Sequence, residues 1–288
     1  MLKIEPMGTA GGPRVGCAIS GVDVRKLDAA GFAPIYQAFL DYGVIAVRGQ
    51  ELTIEDFLAY SRRFGFVVPH PSKSTRHPEH PELTVLGIDK FGPDGKLRPA
   101  VYLRGAENFH TDGAYDPVPF KATQLYSVAV PSRGGDTHFA SMYAAWDVLP
   151  ERLKTLLAGK RGAYRYGGRR QKQELLNPED RDRAPVFHPL APVHAESGRT
   201  SLYFDPGKIL FIEGMEAAQS EDVIAELSER MIVENARYNH HWQVGDAVIW
   251  DNRCMVHKAA GDYPPEEDRI HWRVSILDRE VPEEKLRA

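Results

Sequence analysis

The strongest constraint on the fold comes from three potential metal ligands that lie far apart in the sequence. His110 and Asp112 are two residues apart, and His257 follows 145 residues after Asp112. In an extended segment, residues two apart point to the same side, so His110 and Asp112 can face one ion while Thr111 points away. A strand on the opposing side of a barrel would bring His257 to the same ion. Two imidazoles and one carboxylate leave coordination positions open, which is typical of a non-haem Fe(II) site.

The His-x-acid spacing is weak evidence by itself, because chance gives roughly one or two such triplets in a chain of this composition. The chain has 11 His, 40 Asp plus Glu and four of these triplets. Those that begin at His77 and His80 lie in a proline-rich run, and the one at His194 lies beside a Ser-Gly turn. We interpret these three as polar loop residues. Only the triplet at His110 has the downstream context described below.

Short strand-like runs separated by turns dominate the chain, and helices concentrate near the N-terminus and in one later crossover. Strands are predicted at 44–47, 83–86, 122–130, 136–140, 247–250 and 272–277. Helices are predicted from residue 32 to Gly43, from Thr53 to Gly65, from Pro150 to Gly159 and from Ser220 to Met231. This order predicts an α/β (α+β) fold with a double-stranded β-helix, or jelly-roll, core under a helical cover.

The length of 288 residues is compatible with a single domain, 1–288. Segment 69–108 is rich in Pro, Gly and charge and is long for connecting structure, so we predict a lid loop that contains one short strand. Segment 160–185 is polar and mostly basic before an acidic pair. It is interpreted as a solvated polar insertion, with a mobile lid as the alternative.

Charge, hydropathy and cysteine content argue against several classes of partner. A net charge of −4 gives no reason to expect nucleic acid or an anionic membrane surface. The chain has no run of 18 apolar residues, and its N-terminus lacks the apolar core of a signal peptide. Cys17 and Cys254 form no disulfide framework and fit a reducing compartment. The sequence therefore predicts a cytoplasmic protein.

A predicted strand near the C-terminus contains two arginines. Arg269, His271 and Arg273 alternate with three apolar residues, so one face of the strand is expected to be cationic. Buried arginine needs an anionic partner, and guanidinium binds carboxylate through two parallel hydrogen bonds. The run Gly-Gly-Asp-Thr at 134–137 is either a plain glycine turn or a means of placing the Thr137 hydroxyl beside a carboxylate.

In combination, these motifs resemble one known family. They are HTD, PxxGGDT, WDNRxxxHxAxxDY and RxxxR, together with the N-terminal segments SGVDV, YGVIAVRGQ and SRRFG. They are similar to the taurine dioxygenase / 2,4-dichlorophenoxyacetate dioxygenase family (TauD/TfdA) of Fe(II)/2-oxoglutarate enzymes. The resemblance extends from about residue 15 to residue 278.

The resemblance implies a set of ligands for iron and for 2-oxoglutarate. His110, Asp112 and His257 would be the iron ligands. Thr137 and Arg269 would hold the distal carboxylate of 2-oxoglutarate. The family's reaction uses O2, hydroxylates the substrate and releases succinate and CO2.

The resemblance also implies a substrate site and an assembly. Arg273, with help from His70, would bind an acidic group of the substrate, and Tyr115 would occupy an aromatic position of the pocket. The expected substrate is a small anionic organic molecule such as a sulfonate, an alkyl sulfate or an aryloxyalkanoate. A homo-oligomer, either dimer or tetramer, would be expected.

Three other functions remain open from the residues alone. A zinc hydrolase can use two His and one carboxylate, but it needs a general base and has no use for Thr137 and Arg269. A halogenase on the same fold needs a free metal position for chloride, so the presence of Asp112 argues against it. A jelly-roll protein that binds small acids without turnover would release no succinate.

Overall fold

The structure is a computed structural model that describes residues 1–69, 76–87, 108–169 and 183–282. The helices in these ranges are α1 (Ala29–Tyr42), α2 (Ile54–Ser61), α3 (Met142–Asp147), α4 (Glu151–Leu157) and α5 (Ala217–Arg230). The strands are β1 (Lys3–Pro6), β2 (Cys17–Ser20), β3 (Val44–Val47), β4 (Phe66–Val68), β5 (Thr84–Leu86), β6 (Ala122–Ala129), β7 (Thr137–Ser141), β8 (Arg161–Tyr164), β9 (Val186–Pro189), β10 (Ile209–Ile212), β11 (Arg237–His240), β12 (Ala247–Asp251), β13 (Met255–Ala259) and β14 (Ile270–Leu277). Two 3-10 turns span Val24–Lys26 and Glu234–Ala236.

The described strands form three sheets. The major sheet has eight strands in the order β1-β2-β3-β12-β6-β14-β4, with β5 also paired to β14. The minor sheet has the order β11-β7-β13, and a third sheet has the order β10-β8-β9. The pairing of β2 with β3 is parallel, and the other named pairs are antiparallel. Antiparallel sheets of this kind can bury one face and cover the other with helices.

The major and minor sheets pack face to face. Leu125 and Trp250 of the major sheet share a buried cluster with Phe139 and Met255 of the minor sheet. Helices α1 and α2 pack on the opposite face of the major sheet through a second buried cluster. Helices α3, α4 and α5 pack with the third sheet and the outer side of the minor sheet. The fold is therefore the predicted jelly-roll core with a helical cover.

The N-terminal helices begin and end where their local signals predict. The Asp28 side chain accepts a hydrogen bond from the N–H of Gly31 (2.7 Å) at the start of α1, and Gly43 ends the helix with φ of 69°. Thr53 and Asp56 form a capping box at α2. This helix ends at Ser61, earlier than the predicted Gly65.

One predicted helix start is wrong. Helix α5 begins at Ala217, so Ser220 lies inside the helix and does not cap it. The Ser220 hydroxyl instead accepts a hydrogen bond from the N–H of Ile212 (2.9 Å) in β10. The Ser220 hydroxyl, which the local sequence pattern predicted to cap the helix, thus forms a hydrogen bond to a different element of the fold.

The two predicted irregular segments are only partly described. Residues 76–87 of the predicted lid include β5, which pairs with β14, while 70–75 and 88–107 lie outside the described residues. The start of the predicted insertion, 160–185, is not solvated, because β8 buries Gly162, Ala163 and Tyr164. Residues 170–182 lie outside the described ranges. Among the described residues, no helix combines the length and apolar character needed to cross a membrane.

The triplet at His194, interpreted as polar loop residues, belongs to a buried ion network. The His194 side chain is 1% exposed, and its Nε2 lies 3.0 Å from Oδ2 of Asp251. Arg253 contacts Asp251 at 2.7 Å and Glu196 at 2.8 Å. His194 does lie in a loop, as interpreted, but this loop is buried against a segment 57 residues away.

This network makes a prediction about acid stability. Burial alone would raise the pKa of Asp251, but hydrogen bonds from Arg253 and His194 outweigh burial and hold the pKa at about 2. A carboxyl with a depressed pKa stabilises the fold above its unfolded pKa of about 3.9, and the contribution disappears as the pH falls toward 2. We expect the free energy of unfolding to fall by about 2–3 kcal/mol through this group between pH 5 and pH 2.

Urea denaturation at a series of pH values measures this loss. Asp251→Asn should be less stable than wild type at pH 7 and should show a shallower decline below pH 4. An unchanged decline in the variant would contradict the assignment of the acid sensitivity to Asp251.

Candidate active site

The backbone itself joins His110 to His257. The N–H of His110 donates to the carbonyl of His257 (3.0 Å), and the N–H of His257 donates to the carbonyl of His110 (2.9 Å). This pair is an isolated antiparallel bridge on the free edge of β13, whose other edge pairs with β7. The two imidazole rings lie 4.2 Å apart. A strand therefore brings His257 to His110, as the sequence predicts.

Asp112 completes a three-residue cluster. Its Oδ1 lies 3.8 Å from Nε2 of His110, and its Oδ2 lies 3.8 Å from Nε2 of His257. One potential ligand atom from each residue lies within 4.8 Å of the others. Within the described ranges this is the one group of three or more His, Cys, Asp or Glu with such spacing. Ligand atoms about 2 Å from a common ion have separations of this order.

Neighbouring polar groups orient the Asp112 carboxylate and its loop. The Thr123 hydroxyl donates to Oδ2 of Asp112 (2.7 Å), and Asn252 Nδ2 donates to Thr123 (3.0 Å). Asn252 Oδ1 accepts from the N–H of Asp112 (3.4 Å) and from the Trp250 indole (3.0 Å). Thr111, which points away from the cluster, donates to the carbonyl of Asn252 (2.9 Å). No role was predicted for Thr123 or Asn252, although a threonine in an apolar strand and the WDNR motif were visible signals.

The surroundings of the two imidazoles orient one ring and bury the other. His110 Nδ1 lies 3.0 Å from the carbonyl of Asn108, so an Nδ1–H donor leaves the lone pair on Nε2. His257 is packed near Trp250 and Phe139, with ring centroids 4.5 and 6.1 Å away. Burial, followed by the neighbouring His110, lowers the pKa of His257 to about 3.

Arg273 lies directly against this cluster. Its Nη2 is 3.1 Å from Oδ2 of Asp112, and both side chains are 13% exposed. Burial would raise the pKa of Asp112, but Arg273 and then the two histidines outweigh it and hold the pKa far below its usual range. The described carboxylate that Arg273 contacts is therefore Asp112. Asp262 accepts from the N–H of Gly135 (2.9 Å).

Arg269 and Thr137 meet as predicted. Arg269 Nη2 lies 3.4 Å from the Thr137 hydroxyl, and its Nε–H donates to the carbonyl of Gly135 (2.7 Å). Thr137 also accepts from the Trp242 indole (3.0 Å). Burial lowers the pKa of Arg269. None of the described carboxylates lies within 4.0 Å of its guanidinium, so this buried cation is suited to an anionic ligand.

The sequence predicted that Arg269, His271 and Arg273 form one cationic strand face, and this prediction is wrong for His271. The side chain is fully buried and both ring nitrogens lack a hydrogen-bond partner among the described residues. Burial and the charge of Arg269 lower the pKa of His271 far below its usual value, so the ring is neutral. The neighbouring Ser127 hydroxyl also lacks a partner there. The register shifts between Ile270 and His271, which separates Arg269 from the regular strand.

Tyr115 lies in an aromatic cluster that the sequence did not reveal. Its ring is 5.1 Å from the Tyr166 ring in an edge-to-face arrangement. The Lys208 ammonium lies 5.5 Å from the Tyr115 ring centroid and 5.0 Å from that of Tyr166. Burial and the charges of Asp116 and Asp112 raise the pKa of Tyr115. The remaining predicted site residue, His70, lies outside the described residues.

Comparisons with known proteins agree with this geometry. A family model described as "Taurine catabolism dioxygenase TauD, TfdA family" matches residues 3–275. The chain is 32% identical to a (S)-phenoxypropionate/alpha-ketoglutarate-dioxygenase of Sphingobium herbicidovorans, over 94% of each chain. It is 30% identical to an alpha-ketoglutarate-dependent 2,4-dichlorophenoxyacetate dioxygenase of Cupriavidus pinatubonensis, over 85% of this chain and 89% of that one. A crystal structure of a taurine dioxygenase from Burkholderia xenovorans superposes with a TM-score of 0.78 at 28% identity, over 98% of this chain and 90% of the other.

Proposed function

The chain belongs to the TauD/TfdA family, and we therefore propose that it is an Fe(II)- and 2-oxoglutarate-dependent dioxygenase that hydroxylates a small anionic organic substrate. The co-products are succinate and CO2. The single observation that carries this proposal is the cluster of His110, Asp112 and His257. The pair Arg269 and Thr137, which has no role in a zinc hydrolase, supports the same function.

His110, Asp112 and His257 are the proposed iron ligands. Their donor set, two imidazole nitrogens and one carboxylate oxygen, suits Fe(II) and leaves positions for a chelating co-substrate and O2. Fe(II) bound there supplies the oxidation of 2-oxoglutarate and of the substrate carbon. The protein's own contribution is to orient the ligands through Thr123 and Asn252 and to keep water from the buried His257 side.

Arg269 and Thr137 are the proposed anchors for the distal carboxylate of 2-oxoglutarate. The buried guanidinium, which has no carboxylate of the described residues within 4.0 Å, fits a dicarboxylate co-substrate. The neutral His271 and Ser127 lie opposite each other in β14 and β6, and their polar side-chain atoms have no hydrogen-bond partner among the described residues. They offer further polar contacts beside this anchor.

The proposed substrate site contains Tyr115, Arg273 and, from the sequence, His70. Arg273 contacts the Asp112 carboxylate, and the charge of Asp112 raises the pKa of Tyr115. The relatives' names indicate aryloxyalkanoates and taurine as their substrates. We propose that this chain also oxidises a small organic acid of the aryloxyalkanoate, sulfonate or alkyl sulfate type. We further propose a homo-oligomer, dimer or tetramer, in the cytoplasm.

The proposal is tested by substrate-stimulated succinate formation. Purified protein with Fe(II), 2-oxoglutarate and O2 is screened against the three classes of acid, and succinate is quantified. At least one acid should raise succinate release, and removal of O2 should abolish it. Oxygen-independent turnover would favour a hydrolase, and binding without any succinate would favour a non-catalytic protein.

Loss of the Thr123 hydroxyl is expected to weaken the iron site. Thr123→Val removes the 2.7 Å hydrogen bond to Asp112 and the acceptor of the Asn252 amide. Changes to groups that orient metal ligands typically cost roughly 10–100-fold in metal affinity or activity. Fe(II) titration under anaerobic conditions should show a loss in that range, and Thr123→Ser should retain most of the affinity. Equal Fe(II) affinity in wild type and Thr123→Val would contradict this role.

A further inference from the structure

Lys208 is a partly buried cation without an anionic partner in the described parts of the chain. No described carboxylate lies within 4.0 Å of its ammonium, and its contacts are the faces of Tyr115 and Tyr166. Burial lowers the pKa of Lys208, and Asp205 acts in the opposite direction from beyond contact distance. A cation desolvated in this way is stabilised by an arriving anion.

Two other basic side chains in the interior lie against carboxylates. Lys121 lies 3.4 Å from Glu196 and 3.2 Å from Asp278, and Arg273 lies 3.1 Å from Asp112. Arg269, which has no described carboxylate within 4.0 Å, is the proposed 2-oxoglutarate anchor. Arg165, whose buried Nε has no hydrogen-bond partner among the described residues, lies beside Lys208, and its N–H donates to the Lys208 carbonyl (3.2 Å). Lys208, with two tyrosine rings against its ammonium, is the candidate for the anionic group of the proposed substrate.

The turn that carries Lys208 is tied to the loop that carries the candidate iron ligands. Asp205 Oδ2 accepts from the N–H of Thr111 (3.3 Å), between His110 and Asp112. Asp205 Oδ1 accepts from the N–H groups of Gly207 (2.9 Å) and Lys208 (3.1 Å). One carboxylate thus fixes both backbones, so the position of Lys208 relative to the cluster is set before a ligand binds.

Tyr115 connects Lys208 to the site from the other side. It follows Asp112 by three residues, and the Asp112 charge acts on its phenol. Its ring also contacts the Lys208 ammonium. Lys208 and the two tyrosines therefore offer an aromatic surface and a positive charge together, beside the candidate iron ligands.

From this arrangement we propose that the Lys208 ammonium binds the anionic group, a carboxylate, sulfonate or sulfate, of the primary substrate and thereby sets the preference for acids. This inference rests on the proposed function, because it assigns a residue to the substrate side of that site. Tyr115 and Tyr166 position the ammonium and pack against the organic part of the same molecule.

The test compares equilibrium binding of acids and their neutral amides by calorimetry, without O2, to protein loaded with Fe(II) and 2-oxoglutarate. The probes are (S)-phenoxypropionate, 2,4-dichlorophenoxyacetate and the primary amide of each. Lys208→Met should bind the preferred acid at least about tenfold more weakly, while affinity for the amide and for 2-oxoglutarate stays unchanged. Lys208→Arg should retain most of the preference. Lys160→Met is the matched control, since the Lys160 ammonium contacts the carbonyl of Gly214 (3.3 Å) away from the cluster.

Two results would overturn the proposal. One is an unchanged acid-to-amide ratio in Lys208→Met, and the other is a wild type that prefers neither acid over its amide. If Lys208→Met is unfolded by circular dichroism, Lys208→Gln provides the same comparison. Succinate release is measured separately. Acid binding that depends on Lys208 without any succinate would contradict the proposed dioxygenase and leave the anion site standing.

Discussion

Asp112→Ala is expected to abolish substrate-dependent succinate formation and to weaken Fe(II) binding severely. The substitution removes the one carboxylate of the cluster, so its effect should exceed the roughly 10–100-fold of a change in an orienting group. It also leaves Arg273 without its carboxylate at 3.1 Å. Removing one partner of a buried ion pair destabilises a protein by roughly 3–5 kcal/mol. At 13% exposure for each side chain, we expect a loss toward the lower end of that range.

The loss of iron and the loss of stability can be separated. Asp112→Ala combined with Arg273→Met removes both charges, so the free energy of unfolding should recover relative to the single variant, while Fe(II) binding should not. Anaerobic Fe(II) titration and urea denaturation measure the two effects. Wild-type activity of Asp112→Ala with iron would contradict the ligand assignment. Recovery of iron binding in the double variant would show that the single variant failed through folding alone.

Arg269→Ala is expected to raise the 2-oxoglutarate requirement by about 100-fold or more. Truncating one partner of a charge-assisted contact to a desolvated carboxylate costs several kcal/mol of binding free energy. Since each 1.4 kcal/mol corresponds to a factor of ten in affinity, the loss amounts to about 100-fold or more. The apparent KM for the substrate should change far less. Calorimetry of 2-oxoglutarate binding to the Fe(II)-loaded protein, without O2, gives the same comparison independently of turnover.

Two further variants calibrate the size of this effect. Arg269→Lys keeps the charge but lacks the planar fork, so it should restore only part of the affinity. Thr137→Val removes one hydroxyl, at 3.4 Å from the guanidinium, and should cost about 1 kcal/mol. If Arg269→Ala raised the substrate requirement and left that for 2-oxoglutarate unchanged, Arg269 would belong to the substrate site.

Helix ends that depend on local interactions were mostly predictable from local sequence signals. The glycine that ends α1 and the Thr53 cap of α2 each depend on neighbours within a few residues. The cluster of His110, Asp112 and His257 was also predictable, because a short motif and a distant histidine occur in a specific combination with downstream motifs. Chemistry that depends on a motif can be identified without the fold.

Contacts between distant segments were not predictable in this way. The hydrogen bond between Thr123 and Asp112 joins residues 11 apart in the sequence. The hydrogen bonds from Asp112 to Asn252 and from Thr111 to Asp205 join residues 140 and 94 apart. His194 lies in a loop, as interpreted, but its burial against Asp251 was not visible in the sequence. Likewise, the neutral state of His271 follows from complete burial, which the strand alternation alone does not reveal. These features depend on which strands become neighbours in three dimensions.

The reciprocal hydrogen bonds between His110 and His257 have a consequence for the order of folding and metal loading. They close a loop of 147 residues, for which the length-dependent entropy cost is about 4 kcal/mol. Since hydrogen bonds between peptide groups already close this loop, iron binding does not include the entropy loss of loop closure. We therefore expect iron to leave and return while the protein stays folded, with an affinity set by the ligands and the groups that orient them. Slow amide hydrogen exchange at both histidines in iron-free protein would be the sign of such a preassembled site.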